Sequence, residues 1–139
     1  MADKNPIITV DLNMFSQDAE AKTTEANKVA KSLGISDEAL AKVEDFKQAL
    51  TEHNAWDLPF MGYVNEDGYG YAYVPDQAIT ETGWNAHKAF RAMPHDAQTA
   101  FAIRMLFTHR DADRYGADMF LHYERGFNVR FEGAGSNNY

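Results

Sequence analysis

Cysteine is absent from the 139 residues of the sequence. This absence excludes disulfide bonds, thiolate zinc sites, iron–sulfur clusters and cysteine nucleophiles. Small secreted domains commonly depend on disulfides, so we expect a cytoplasmic protein. No apolar run approaches the roughly 18 residues of a membrane span. The first residues show no basic segment that leads into an apolar one, so we expect neither a signal peptide nor a membrane partner.

Recognisable catalytic motifs are absent as well. No serine lies in a G-x-S-x-G elbow, and the glycines near Gly68 lack the strand-then-helix context of a phosphate-binding loop. The histidines are scattered among different predicted elements, at His53, His87, His95, His109 and His122. We therefore expect a protein that is not an enzyme and that uses no cofactor.

Arginine is missing from residues 1–87, which contain six lysines and 15 acidic residues. Residues 88–139 contain Lys88 and all six arginines against six acidic residues. The formal net charge of -8 excludes a protein that is basic throughout, but it does not exclude a local basic patch. Because arginine stacks on bases and grips phosphate with a planar fork, whereas lysine is a hydrated point charge, the two parts suit different partners.

Hydrophobic residues make up 45% of the chain, which is enough for one domain with its own core. We expect residues 1–132 to form that domain. Residues 133–139 are rich in glycine, serine and asparagine and are expected to form a flexible tail.

Apolar residues recur at helical spacing in several segments. Ser36 is a good N-cap, with acidic residues in the first turn, for a helix that places Val43 and Leu50 on one face. The preceding segment is rich in alanine, lysine and glutamate and ends at Gly34, a typical residue just beyond a helix. Helices are therefore predicted for residues 16–33, from Ser36 through Leu50, and for residues 84–93, 96–109 and 115–123.

Residues 60–74 change to a period of two around a turn rich in asparagine, aspartate and glycine, which predicts a β-hairpin. Residues 7–10 and 127–131 predict two further strands that could extend the same sheet. We therefore expect a single-domain α+β fold in which several helices pack on a small, mainly antiparallel sheet containing the 60–74 hairpin. Open edges of a small sheet often pair with a second subunit, so we also expect a homo-oligomer.

The hairpin places Tyr69, Tyr71 and Tyr73 on one face, with Phe60 opposite Tyr73. Residues two apart on a strand are separated by about 6.6 to 6.8 Å, a spacing that an extended single strand of nucleic acid can match. Stacking on an aromatic ring contributes about 1 to 3 kcal/mol per base. These four side chains therefore predict a stacking platform. Phosphate contacts are predicted from arginines of the C-terminal part, namely Arg104, Arg110, Arg114, Arg125 and Arg130.

Two other interpretations of this aromatic face stay open. Tyrosine is a favoured strand residue whose ring commonly covers a core, and tyrosine-rich faces also form protein interfaces. The hairpin is itself flanked by acidic residues, and no lysine or arginine lies between Lys47 and Lys88. Attraction for phosphate therefore has to come from another part of the fold or from a second subunit.

A metal site is the weaker interpretation of the segment that begins at His109. His109, Asp111 and Asp113, and further on Asp118 and His122, offer the imidazole and carboxylate ligands that zinc, manganese or iron accept. The pattern matches no established metal motif, and arginines are interleaved with the acids. Because that arrangement is typical of a solvated helix end with ion pairs, we predict no metal site.

The acidic residues of the N-terminal helices allow one more interpretation. They alternate with lysines, which is typical of a solvated face, but they could also dock on a basic partner such as a polymerase. The acids concerned are Asp18, Glu20, Glu25, Asp37, Glu38, Glu44, Asp45 and Glu52.

The function that we predict from the sequence is non-enzymatic binding of single-stranded DNA, as an accessory factor in replication or transcription. The aromatic hairpin would stack bases, and the C-terminal arginines would contact phosphates. The alternative is a small acidic protein-interaction module, an inhibitor or adaptor of a kind that viruses encode, which binds a partner protein directly.

Overall fold

A computed structural model describes residues 6–55, 79–109 and 112–133 of the protein. The predicted 60–74 hairpin lies outside these ranges, together with its Phe60, Tyr69, Tyr71 and Tyr73. Arg110 and residues 134–139 of the predicted tail lie outside them as well.

The described residues form five α-helices between two short strands. In chain order the elements are strand β1 (Ile7–Asp11), a 3-10 helix (Leu12–Ser16), α1 (Ala19–Ser32), α2 (Asp37–His53), α3 (Ala86–Ala92), α4 (His95–Thr108), α5 (Ala112–Arg125) and strand β2 (Asn128–Glu132). The helices predicted from the sequence are confirmed, with bounds that differ by a few residues. The two terminal strands are confirmed as well.

The predicted fold class is wrong in its sheet. The described residues are mostly helical, and their sheet consists of β1 and β2 alone, which pair in parallel and not in an antiparallel arrangement. Ile8 lies opposite Val129, and Val10 lies opposite Phe131.

The physical reason lies in the connection between the two strands. Antiparallel neighbours can be joined by a tight turn, whereas parallel neighbours need a long crossover on one side of the sheet. Here the helices supply that crossover. The alternation of side chains identifies β1 as a strand, because Ile8 and Val10 are buried while Ile7 and Thr9 are exposed. Such alternation contains no information about which strand is the neighbour or in which direction it runs.

Short polar side chains begin three of the described helices, as their sequence positions suggest. Asp18 accepts a hydrogen bond from the backbone N–H of Ala21 at 2.8 Å, and Ser36 accepts one from Ala39 at 3.1 Å. Asn85 does the same at the start of α3. Each of these bonds satisfies an N–H group that has no partner within the first turn of its helix.

Helix α1 ends in a Schellman motif around Gly34, whose φ of +90° is in the left-handed region. The Gly34 N–H donates to the carbonyl of Lys31 at 3.0 Å, and the Ile35 N–H donates to the carbonyl of Ala30 at 3.2 Å. These bonds satisfy carbonyls of the last turn and direct Ile35 into the core.

The core is built around α4, in which every residue from 97 to 107 is buried. Helices α1, α2 and α5 all pack against it. Helix α1 contributes the small side chains of Ala26 and Ala30, so its backbone can approach closely. The aromatic ring of Phe101 on α4 meets Phe46 of α2 edge-on at 4.8 Å between ring centroids.

Replacement of Gly34 by alanine is expected to lower the free energy of unfolding by about 1 kcal/mol, because an L-residue is strained at a positive φ. No atom lies within 4 Å of the position that the new Cβ would occupy, so steric overlap adds nothing. Gly34→Asn serves as the matched control and should lose less, since asparagine tolerates this conformation. Urea unfolding of the three proteins measures the effect. Equal stability of the alanine variant and the wild type would contradict the assigned helix end.

Candidate functional site

Arg104, a predicted phosphate ligand, is buried in the centre of the fold and is only 3% exposed. Its Nη2 atom lies 2.7 Å from an Oε atom of Glu44 on α2 and donates to Oδ1 of Asn27 on α1 at 3.0 Å. Arg104 therefore connects α4 to both N-terminal helices. The sequence did contain a signal for this burial, because residues 100–107 are otherwise apolar.

Arg125 is also held inside the fold. Its Nε atom donates to Oγ1 of Thr99, and its Nη2 atom donates to Oε1 of Gln98, both at 2.8 Å. The guanidinium lies 4.7 Å from the ring centroid of Phe120. Burial lowers the pKa of Arg125 and raises the pKa of the neighbouring Glu124, each shift being opposed by the attraction between the two groups.

Glu124 in turn receives both terminal nitrogens of Arg91, each at 2.8 Å. This two-pronged pair joins α3 to the end of α5. It is a geometry that only arginine provides, and it holds planar groups in a fixed orientation. The network of Arg91, Glu124 and Arg125 is therefore occupied by contacts within the protein.

The remaining described arginines lie near the sheet. Arg114 is buried, with its guanidinium 4.6 Å from the ring centroid of Phe15 and 5.4 Å from that of Phe131. Arg130 is exposed on β2, where it pairs with Glu132 at 3.2 Å. Of the predicted phosphate ligands that the structure describes, only Arg130 has a guanidinium at the surface, and the structure does not bring the four together.

Unlike the buried arginines, three carboxylates of α2 are exposed to solvent and form a row. Glu38, Asp45 and Glu52 are spaced seven residues apart, so they lie on one side of the helix, opposite the buried face that includes Val43 and Leu50. At a rise of about 1.5 Å per residue the row is about 21 Å long. We call these three residues the acidic row.

A polar cleft of about 450 Å³ lies at the end of the acidic row. Two carboxylates line it, together with an imidazole, an amide and two hydroxyls, contributed by Glu52, His53, Asn54, Thr80, Glu81 and Thr82. No lysine or arginine is among these lining residues. The cleft therefore favours a cationic group.

His53 fixes one wall of the cleft. Its Nδ1 atom is 2.8 Å from the hydroxyl of Thr82, and that hydroxyl is 2.9 Å from the hydroxyl of Thr80. The imidazole stacks on the ring of Trp84 at 4.5 Å with an interplanar angle of 11°. The contacts of His53 with Thr82 and Trp84 join residues about 30 positions apart, so no local sequence pattern indicates them.

The alternative metal ligands are not assembled in the part of the chain that the structure describes. His109 interacts through Nδ1 with the hydroxyl of Thr108 at 3.0 Å, and Asp111 lies outside the described ranges. Within those ranges, no three histidine or carboxylate side chains form a group that could hold a metal ion.

Each helix in residues 6–55, 79–109 and 112–133 is too short or too polar to cross a membrane. Comparison with known proteins found no family model, no curated protein and no solved structure that matches this chain.

Asp118 is expected to make the protein less stable as the pH rises. Burial raises the pKa of its carboxyl from 3.8 to about 6, although the charge of His122 opposes the shift. Ionisation is therefore less favourable in the folded protein than in the unfolded chain, and the free energy of unfolding should fall between these two pH values.

Asp118→Asn, which stays uncharged, should be more stable than the wild type by about 1 kcal/mol at neutral pH, and most of this difference should be lost near pH 4. This gain in the free energy of unfolding is smaller than the full shift in the pKa of Asp118 would give, because the carboxyl is partly exposed to solvent. Urea unfolding at both pH values measures the difference, with Asp45→Asn as an exposed control. A difference that does not change with pH would contradict the raised pKa.

Proposed function

We propose that this protein is a non-enzymatic protein-interaction module that binds a basic surface of a partner protein through the acidic row of α2. The observation that carries the proposal is a segregation of charge. Arg104, Arg114 and Arg125 are turned into intramolecular contacts, whereas the acidic row faces solvent.

The acidic row has no cationic partner within the described residues, although Glu52 accepts a hydrogen bond from the side-chain amide of Gln48 at 3.1 Å. Among the described residues, no lysine or arginine nitrogen lies within 4.0 Å of the carboxylates of Glu38, Asp45 or Glu52. Glu44, on the same helix, is by contrast neutralised by Arg104. A row of unpaired charges of one sign accelerates encounter with an oppositely charged surface and selects against partners of the same sign.

The acidic row would match a basic surface about 21 Å long. Basic surfaces of that length are typical of proteins that bind nucleic acid, since they neutralise phosphates. A polymerase or a similar nucleic-acid enzyme is therefore the class of partner that we propose, and an inhibitor or adaptor is the class of protein that would bind it. The cytoplasmic location and the homo-oligomer remain predictions.

The first test is a binding titration with a cationic probe, a fluorescein-labelled dodecapeptide of alternating lysine and glycine. The triple variant Glu38→Gln, Asp45→Asn, Glu52→Gln should bind it about tenfold more weakly than the wild type, because each exposed ion pair contributes up to about 1 kcal/mol. Raising the salt concentration should weaken wild-type binding, since it screens exposed charges.

A matched control separates position from total charge. The variant Glu20→Gln, Glu25→Gln, Glu132→Gln also removes three carboxylates, so both triple variants have the same formal net charge. It should retain wild-type affinity within about twofold, because it leaves the acidic row intact. An equal loss in both variants would mean that overall charge attracts the probe, and the proposed site would be abandoned.

Binding of single-stranded DNA is the second candidate function, and the sequence spacing of Tyr69, Tyr71 and Tyr73 favours it. If it is correct, a fluorescein-labelled thymine homopolymer should bind in fluorescence anisotropy, and Tyr71→Ala with Tyr73→Ala should weaken binding about tenfold or more. Tyr123→Ala removes an exposed tyrosine on α5 and is the control. No binding by the wild type at low salt would exclude this candidate.

A further inference from the structure

An apolar groove runs between α2 and α3 beside the acidic row. Its volume is about 360 Å³. The residues that line it are mostly apolar and come from both helices and from the segments that flank α3, namely Lys42, Asp45, Phe46, Ala49, Trp84, Ala89, Ala92, Met93 and Pro94.

The shape of the groove is suited to bulky side chains of another protein segment. Alanines at positions 49, 89 and 92 form small wall residues on the two helices, while Phe46 and Trp84 supply large apolar surfaces, with ring centroids 6.1 Å apart. A slot between two helices with small walls and aromatic surfaces is the arrangement in which a third helix inserts large apolar residues.

The charges around the groove are asymmetric. Asp45 of the acidic row lines the groove, and Trp84 separates the groove from the polar cleft, because this ring lines the groove and also stacks on His53. Glu52 and Glu81 line the cleft beyond it. Lys42 is the single lysine or arginine that lines the groove. Carboxylates therefore predominate along the groove and the polar cleft taken together.

We propose that the groove receives the apolar face of a basic amphipathic helix of the partner protein, and that lysines or arginines of that helix pair with Asp45 and Glu52. This inference rests on the proposed function and assigns it a recognition element. Asp45 and Glu52 are seven residues apart, or about 10.5 Å along the helix axis, which equals two turns of an occupant helix that lies alongside α2. The occupant is therefore expected to carry cations at positions i and i+7 beside a row of leucine-like residues.

The experiment uses three 16-residue fluorescein-labelled peptides and measures fluorescence anisotropy. The first peptide has leucines on one helical face and lysines on the other. The second has the same composition in an order that destroys the apolar face, and the third has glutamate in place of lysine. The wild-type protein should bind the first peptide at least tenfold more tightly than the second and should not bind the third.

Two protein variants locate the binding. Ala92→Phe should fill the groove and weaken binding of the first peptide at least tenfold. Because the side chain of Ala92 is exposed, the larger ring should not disturb the core. Ala41→Phe adds the same ring at an exposed position of α2 that does not line the groove, and it should leave binding unchanged. Urea unfolding of both variants checks that they fold.

The outcomes distinguish this inference from the proposed function. If the first two peptides bind equally and both depend on the acidic row, the row binds cations without the groove, and only the further inference is overturned. If neither cationic peptide binds, both are overturned. If the wild type is a dimer in sedimentation equilibrium and Ala92→Phe is a monomer, a second copy of the chain occupies the groove, and the inference is again wrong.

Discussion

Burial of α4 is the constraint on which the rest of the described structure depends. A helix that is buried from residue 97 to residue 107 has no exposed face, so other elements must cover it on every side. Helices α1, α2 and α5 do so, each with an apolar stripe. The single arginine inside this stretch then needs partners within the fold, and Glu44 and Asn27 provide them. Both contacts are made by Nη2 of Arg104, while its Nε and Nη1 atoms are buried without a hydrogen-bond partner.

Local signals predicted most of the secondary structure. Ser36 with its following acids, the spacing of Val43 and Leu50, and Gly34 all lie within one or two turns of the feature that they specify, so a single sequence contains the information. The direction of the sheet was predicted wrongly because it is set by the crossover between β1 and β2. No short pattern records where a chain goes between two strands.

The candidate site, like the fold, could be predicted from the sequence only in part. The acidic residues of α2 were visible in the sequence as one interpretation among several, and their seven-residue spacing was available there as well. What could not be predicted was which charges the fold would neutralise. Glu44 and Glu38 look equivalent in the sequence and are both exposed, yet Arg104 from a helix about 60 positions away forms an ion pair with Glu44 and not with Glu38. The surface charge of a protein is therefore a tertiary property, and a count of residue types does not reveal it.

The parallel pairing of β1 with β2 also determines when the fold can be completed. Ile7 and its partner Asn128 are separated by 121 positions, counted from 7 to 128, so the pairing has a large loop-closure cost and favours slow folding. During synthesis, almost the whole described chain must be made before the partner strand of Ile8 and Val10 exists. Until then these apolar residues have no partner strand, and an unpaired apolar segment is a site for unwanted association. Synthesis of β2 therefore supplies the partner that covers one edge of β1.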